Sequence, residues 1–185
     1  MISTNDFKTG MTIEYDGNIF QVLEFQHVKP GKGQAFVRTR LKNLRTGAII
    51  DYTFGADEKV ARAIIEKKKM QYLYNAGGMY SFMDMETFEQ IDIPESRLEF
   101  ERNFLLEGMS VTVIEYKGEI LGIQIPEKVV LTVIETPPGV KGNTAANATK
   151  EAILETGYRV LVPLFIEKGD KIIVSTLDGK YSSRA

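Results

Sequence analysis

The sequence predicts an all-β chain made of three small β-barrel domains, and three observations carry that expectation. Short runs of alternating or β-branched apolar residues recur about every ten residues with Gly-containing turns between them, the spacing of small barrels. The dipeptides Asp16-Gly17 and Lys117-Gly118 sit between such runs at hairpin spacing. Three stretches, 1–64, 65–127 and 128–185, share this texture but differ in charge: 9 Lys/Arg against 7 Asp/Glu, then 6 against 12, then 8 against 6. A chain of 185 residues has room for two or three such domains.

In the first stretch, residues 11–15 and 18–20 flank Asp16-Gly17 as a hairpin. Residues 18–25 and 35–41 read as two strands on either side of a loop, and Arg45-Thr46-Gly47 turns 36–44 back into 48–54. Lys67-Lys68-Lys69 reads as a solvated connection to the second barrel. There, residues 70–74 turn at Asn75-Ala76-Gly77-Gly78 into 79–83. Pro94-Glu95-Ser96 opens a short helix with Leu98, Phe104 and Leu105 on its buried side, Pro being tolerated in a first turn. Residues 110–116 and 119–125 form a hairpin about Lys117-Gly118, and 115–120 echoes 14–19 through shared turn chemistry. The aromatics Tyr72, Tyr74, Tyr80, Phe82 and Phe88 suit barrel core at strand spacing better than a base-stacking platform. In the last stretch, 128–134 is a strand, 135–139 a turn, and 140–149 a loop of small residues without hydrophobic anchors. Residues 157–165 form a strand interrupted at Pro163, and 169–176 lead through Asp178-Gly179 to a polar end.

The functional signal is densest at Val28-Lys29-Pro30-Gly31-Lys32-Gly33-Gln34-Ala35-Phe36. Gly31 and Gly33 leave the tip of this loop without bulk, Pro30 stiffens its approach, and Lys32 projects one long cationic side chain. The loop is no phosphate cradle, because Gln26 stands where that pattern wants glycine and Gly33 where it wants Ser or Thr. A Schiff-base lysine needs burial or a cationic neighbour to bring its pKa down from ~10.4, and a glycine-flanked tip offers little burial. Two readings stay open for Lys32: a solvated turn lysine, or a probe reaching into a partner. Residues 25–50 contain no Asp or Glu but six cations, Lys29, Lys32, Arg38, Arg40, Lys42 and Arg45, which reads as a surface for phosphate backbones. At the other end Tyr181 and Arg184, among small hydroxyl residues, suit phosphate and base contacts.

Composition removes several function classes. There is no cysteine, hence no disulfide, zinc finger or thiol chemistry, and the single histidine, His27, makes a Ser-His-Asp triad or a transition-metal site a poor fit. Neither a secretory leader nor an apolar run of membrane-spanning length is visible, so a cytoplasmic, non-membrane protein without metal or cofactor is expected.

These residues together resemble the bacterial elongation factor P family. The resemblance is carried by Lys29-Pro30-Gly31-Lys32-Gly33-Gln34-Ala35-Phe36, by Tyr72-Leu73-Tyr74-Asn75 with Glu86-Thr87-Phe88-Glu89-Gln90, and by an ordered C-terminal set. That set comprises Lys150, Ala152, Gly157, Pro163, Phe165, Gly169-Asp170, Ile172, Val174, Ser175-Thr176, Gly179, Tyr181 and Ser183-Arg184. The resemblance implies an SH3-like or KOW-like first barrel and two OB-fold barrels in an L-shaped, tRNA-like arrangement. It further implies a non-enzymatic, monomeric factor that binds both ribosomal subunits beside the peptidyl-tRNA and relieves stalling at consecutive prolines. Lys32 would be modified by a dedicated enzyme and reach the tRNA end, with Lys29, Pro30, Gly31, Gly33, Arg38, Arg40 and Lys42 around it on tRNA and ribosomal RNA. Gly142, Asn143 and Thr144 would meet the mRNA in the exit site, and Tyr181 and Arg184 the small subunit. Asn143 replaces the family's usual Asp, keeping an acceptor, losing the charge and adding donors. Glu151 stands where Pro commonly follows Lys150. A general RNA-binding tandem-barrel assembly factor and an enzyme with a nucleophilic Lys32 are the competing readings.

Overall fold

The computed structural model describes residues 1–139 and 148–185. Its strands are β1 (Ile2–Ser3), β2 (Thr12–Tyr15), β3 (Asn18–Val28), β4 (Phe36–Asn43), β5 (Ile49–Gly55), β6 (Lys59–Arg62), β7 (Glu66–Ala76) and β8 (Met79–Asp84). The second half adds β9 (Gln90–Pro94), β10 (Ser110–Tyr116), β11 (Glu119–Gln124), β12 (Lys128–Glu135), β13 (Thr149–Leu154), β14 (Arg159–Pro163), β15 (Lys171–Ser175) and β16 (Tyr181–Arg184). Three sheets result, in the orders β1-β6-β2-β3-β4-β5, β11-β10-β7-β8-β9 and β14-β13-β12-β15-β16. The expected all-β class with three sheet domains is what the chain adopts. Among the described residues no helix is long and apolar enough to cross a membrane. By compactness the chain divides into two units, Met1–Lys68 with Val113–Gly122, and Lys69–Thr112 with Ile123–Ala185.

In the first unit, β2 and β3 close on each other with Tyr15 opposite Asn18. The two residues between them, Asp16 and Gly17, have φ of 51° and 74°. Positive φ at both central positions is the turn whose twist matches that of antiparallel strands. Lys117 and Gly118 repeat it at 49° and 80°, so the sequence echo is an echo of turn geometry. The two hairpins are packed together: Ile19, Ala63, Ile114, Tyr116 and Leu121 form one apolar cluster. Tyr116 Oη donates to Glu14 Oε2 at 2.9 Å. Arg45, in the β4–β5 turn, forks onto the Glu119 carboxylate at 2.9 to 3.2 Å and donates through Nη1 to the Gly17 carbonyl at 2.7 Å. A second cluster gathers Phe7, Ile13, Phe20, Val22, Val37, Leu41, Phe54 and Val60, with Phe54 edge-on to Phe7. Along β4, Val37, Thr39 and Leu41 point into it while Arg38, Arg40 and Lys42 point out, as a two-residue period requires.

The second unit corrects several sequence readings. Tyr72, Tyr80 and Phe82 are core, but Tyr74 is 46% and Phe88 67% exposed. A bulge between Tyr72 and Tyr74 breaks the alternation and turns Tyr74 outward, and Phe88 lies beyond the strands. Lys67, Lys68 and Lys69, where the chain passes from the first unit to the second, are strand and not a loop, because β7 already begins at Glu66. The expected helix is two separate 3-10 turns, Glu95–Arg97 and Glu101–Phe104, which still bury Leu98, Phe104 and Leu105. Phe104 joins Leu131, Leu154, Ile166, Ile172 and Val174 in an apolar cluster of this unit. Thr149, expected in a loop, opens β13, which lies between β12 and β14 and turns Lys150, Ala152 and Leu154 inward. The polar end is itself a strand: β16 pairs with β15, Ile172 opposite Arg184.

Candidate functional site

β3 and β4 pair from Phe20 opposite Asn43 to Val28 opposite Phe36, with one bulge between Val22 and Glu24, and β5 backs β4 along its length. The loop that carries Lys32 begins where this pairing stops. Lys29, Pro30, Gly31, Lys32 and Gly33 are all exposed. Gly33 has φ +102°, a backbone that side chains rarely tolerate, so glycine is there for the turn itself. A Cβ at Gly31 would touch nothing within 4 Å, so glycine there keeps the tip slender. Among the described residues Lys32 has no hydrogen bond or ion pair. His27 is exposed at the end of β3, its ring edge-on to Phe25 at 5.6 Å.

The six cations do not form one uniform stripe. Arg38 lies over the Phe36 ring, 5.5 Å from its centroid, between Gln26 and Thr53 on the neighbouring strands. Arg40 stands opposite Glu24 on one side and Asp51 on the other. The sequence window without carboxylates is thus bordered in space by two that lie just outside it, Glu24 and Asp51. Strand register, invisible in the order of residues, is the signal that finds them. Lys42 is opposite Gln21 and Ile49, and Arg45 is committed to Glu119. Positive charge without an opposing carboxylate is left at the tip, Lys29 and Lys32, and at Arg38 and Lys42. Glu24, Arg38, Arg40, Asp51 and Tyr52 line a shallow groove on the sheet. On the core side of the same sheet, the Tyr15 and Tyr52 hydroxyls meet at 2.5 Å. That bond first, then burial and the nearby acidic groups, pushes the Tyr15 pKa up to about 12.

At the other end, Arg184 is exposed, stacked over Phe165 at 5.7 Å with Nη2 3.8 Å from Asp170 Oδ2, while Tyr181 packs on the C-terminal core. Gly142, Asn143 and Thr144 lie outside the described residues. The stretches flanking them are stitched together: Lys150 Nζ donates to the Pro137 carbonyl at 2.7 Å and Thr136 Oγ1 to the Glu151 carbonyl at 3.0 Å. Glu151 itself lies within β13, opposite Leu161, and its carboxylate holds Arg159 at 3.0 Å. Among the described residues no group of three or more His, Asp or Glu side chains could hold a metal ion.

Comparison with known proteins agrees along the whole chain. Residues 3–60 match the family model of the elongation factor P KOW-like domain, 65–123 that of the elongation factor P OB domain, and 129–184 that of the elongation factor P C-terminal region. Elongation factor P of Moorella thermoacetica is 56% identical over 185 residues, all of both chains. The solved structure of eukaryotic translation initiation factor 5A from Methanococcus jannaschii superposes with a TM-score of 0.51 at 26% identity, covering 67% of this chain and 93% of that one. On three consecutive family matches and identity over its full length, the chain belongs to the elongation factor P family of translation elongation factors.

Proposed function

We propose that this factor binds the ribosome beside the peptidyl-tRNA and speeds peptide bond formation at consecutive prolines by steadying the tRNA end with Lys32, bare or enzymatically modified. One observation carries the reading: Lys32 is exposed at the end of a register-locked hairpin and, among the described residues, makes no hydrogen bond or ion pair. A side chain used by the fold would be anchored in it, whereas one used on a partner is left free. Proline is a poor acceptor because its ring restricts the approach to the ester, so the barrier is largely one of orientation. Fixing two reactants in place removes such a barrier without proton transfer by the factor. The ribosome supplies the chemistry.

In this reading Lys29, Arg38 and Lys42, around Pro30, Gly31 and Gly33, touch tRNA and ribosomal phosphates. Arg40, flanked by Glu24 and Asp51, contributes least of the four cations. Gly142, Asn143 and Thr144 face the mRNA in the exit site, and Tyr181 and Arg184 the small subunit. The factor acts as a cytoplasmic monomer and uses no cofactor.

The test compares Lys32→Ala with Arg38→Ala on translation of a proline-run reporter and of a control reporter, together with mass spectrometry of the native protein. The expected outcome is a proline-specific defect far larger for Lys32→Ala, with added mass on Lys32 wherever a modifying enzyme is present. Equal defects for both variants, or equal loss on both reporters, would favour the assembly-factor reading.

A further inference from the structure

The sequence holds six prolines, and among them only Pro137 and Pro138 are consecutive. They follow the end of β12, whose last residue, Glu135, stands opposite Ile153. Proline suits a stretch where the ladder has ended, because it brings no N–H that needs a partner and fixes its own φ. The Pro137 carbonyl is taken by the ammonium of the buried Lys150 at 2.7 Å. Gly139 is held more strictly. A Cβ there would stand 2.5 Å from the Leu164 carbonyl oxygen, a backbone contact that no side-chain movement relieves. Pro138 lies exposed between these two fixed points. The fold thus uses Pro137-Pro138-Gly139 as a stiff exit from the sheet.

The same pair is hard to synthesise. To join Pro138 to Pro137, the secondary amine of prolyl-tRNA attacks the ester carbonyl that holds Pro137 on its own tRNA. The amide C–N bond forms, the ester C–O bond breaks, and the amine's proton ends on the tRNA ribose oxygen. The ring on the attacking nitrogen restricts the approach, and positioning removes a barrier of that kind. We propose that the nascent chain of this protein is one of the factor's own substrates: ribosomes making it pause at Pro137-Pro138-Gly139 until a finished copy relieves them through Lys32. This rests on the reading that the factor acts at consecutive prolines. Production of the factor then depends on the factor already present, and a depleted cell recovers slowly at first and faster as copies accumulate.

The experiment translates the full-length message with purified ribosomes and translation components, with and without the native protein, and maps ribosome positions by primer extension. A proline-run reporter is translated in the same mixtures. The expected result is a pause at codons 137–139 that the native protein abolishes and Lys32→Ala protein does not. A message encoding Pro138→Ala should show no pause; the readout is taken during synthesis and does not depend on how that variant folds. Three results overturn the proposal while leaving the proposed function intact, provided the native protein relieves the reporter: no pause on the parent message, a pause that persists with the native protein, or an equal pause on the Pro138→Ala message. Relief of neither the reporter nor the parent message overturns both.

Discussion

Replacing Arg45 tests how the first unit is held together. Its guanidinium makes three N–H contacts with Glu119 and one with the Gly17 carbonyl. The two charged side chains are 31% and 40% exposed, so solvent screens the ion pair to about 0.5–1 kcal/mol. The hydrogen bond to Gly17 adds about 1 kcal/mol at this exposure. Arg45→Ala is therefore expected to cost about 1.5–2 kcal/mol, Glu119→Gln less than ~1 kcal/mol, and the double variant to reveal a coupling of ~0.5–1 kcal/mol. Because a chain of several domains need not unfold in one step, the readout is hydrogen exchange of the Ile114 and Leu121 amides, which report on the 113–122 hairpin. Coupling below ~0.3 kcal/mol, or an equal loss of protection in Arg38→Ala, would show that the fork does not hold this hairpin.

Four further outcomes are expected. Lys32→Ala should change thermal stability by no more than ~0.5 kcal/mol, since the side chain is exposed, and calorimetry of both proteins checks it. Phe54→Ala, at a fully buried ring in contact with Phe7 and Tyr15, should cost ~3–5 kcal/mol in denaturant unfolding of the N-terminal sheet. Tyr15 holds its proton in the folded state up to about 12, whereas an unfolded tyrosine ionises near ~10. The folded chain thus binds more protons between those values, and stability present below ~10 is lost as pH rises through about 12. Tyr15→Phe should flatten that alkaline loss, and an unaltered pH profile would contradict it. The proposed division into 1–64, 65–127 and 128–185 predicts that limited proteolysis cuts first near Ile64, which is 78% exposed, and near Pro126; first cuts inside β3 or β12 would contradict that division.

The sequence discloses strands where alternation and turn chemistry agree. Asp16-Gly17 and Lys117-Gly118 locate two hairpins to the residue because the turn type itself demands positive φ. Strands formed by tertiary pairing alone stay hidden. β1 is two residues held by Val60 and Lys59, and β6 and β9 are short and rich in charge or bounded by Pro94. Thr149-Lys150-Glu151-Ala152-Ile153-Leu154 contains good helix formers, yet the neighbours β12 and β14 make it a strand, since propensity is weaker than pairing and burial. Of the candidate site, the tip is local chemistry and legible, whereas the opposition of Glu24 and Asp51 to Arg40 depends on register across three strands. Arg45 counted as surface charge in the sequence and proves structural because its partner Glu119 is 74 residues away.

The paired length of β3 and β4 works as a ruler. From Phe20 to Val28 it measures roughly 27 Å at the usual rise per residue, and that length sets how far the loop of Lys32 stands from the opposite end of the hairpin. Adding one residue to each strand would turn Val37, Thr39 and Leu41 out to water beyond the insertion, whereas adding two to each would keep every side chain on its face and lengthen the ruler by about 7 Å. The reach of this finger can therefore change only in steps of that size, so fine adjustment falls to chemistry at its end, where an added group on the amine alters length without disturbing a single strand.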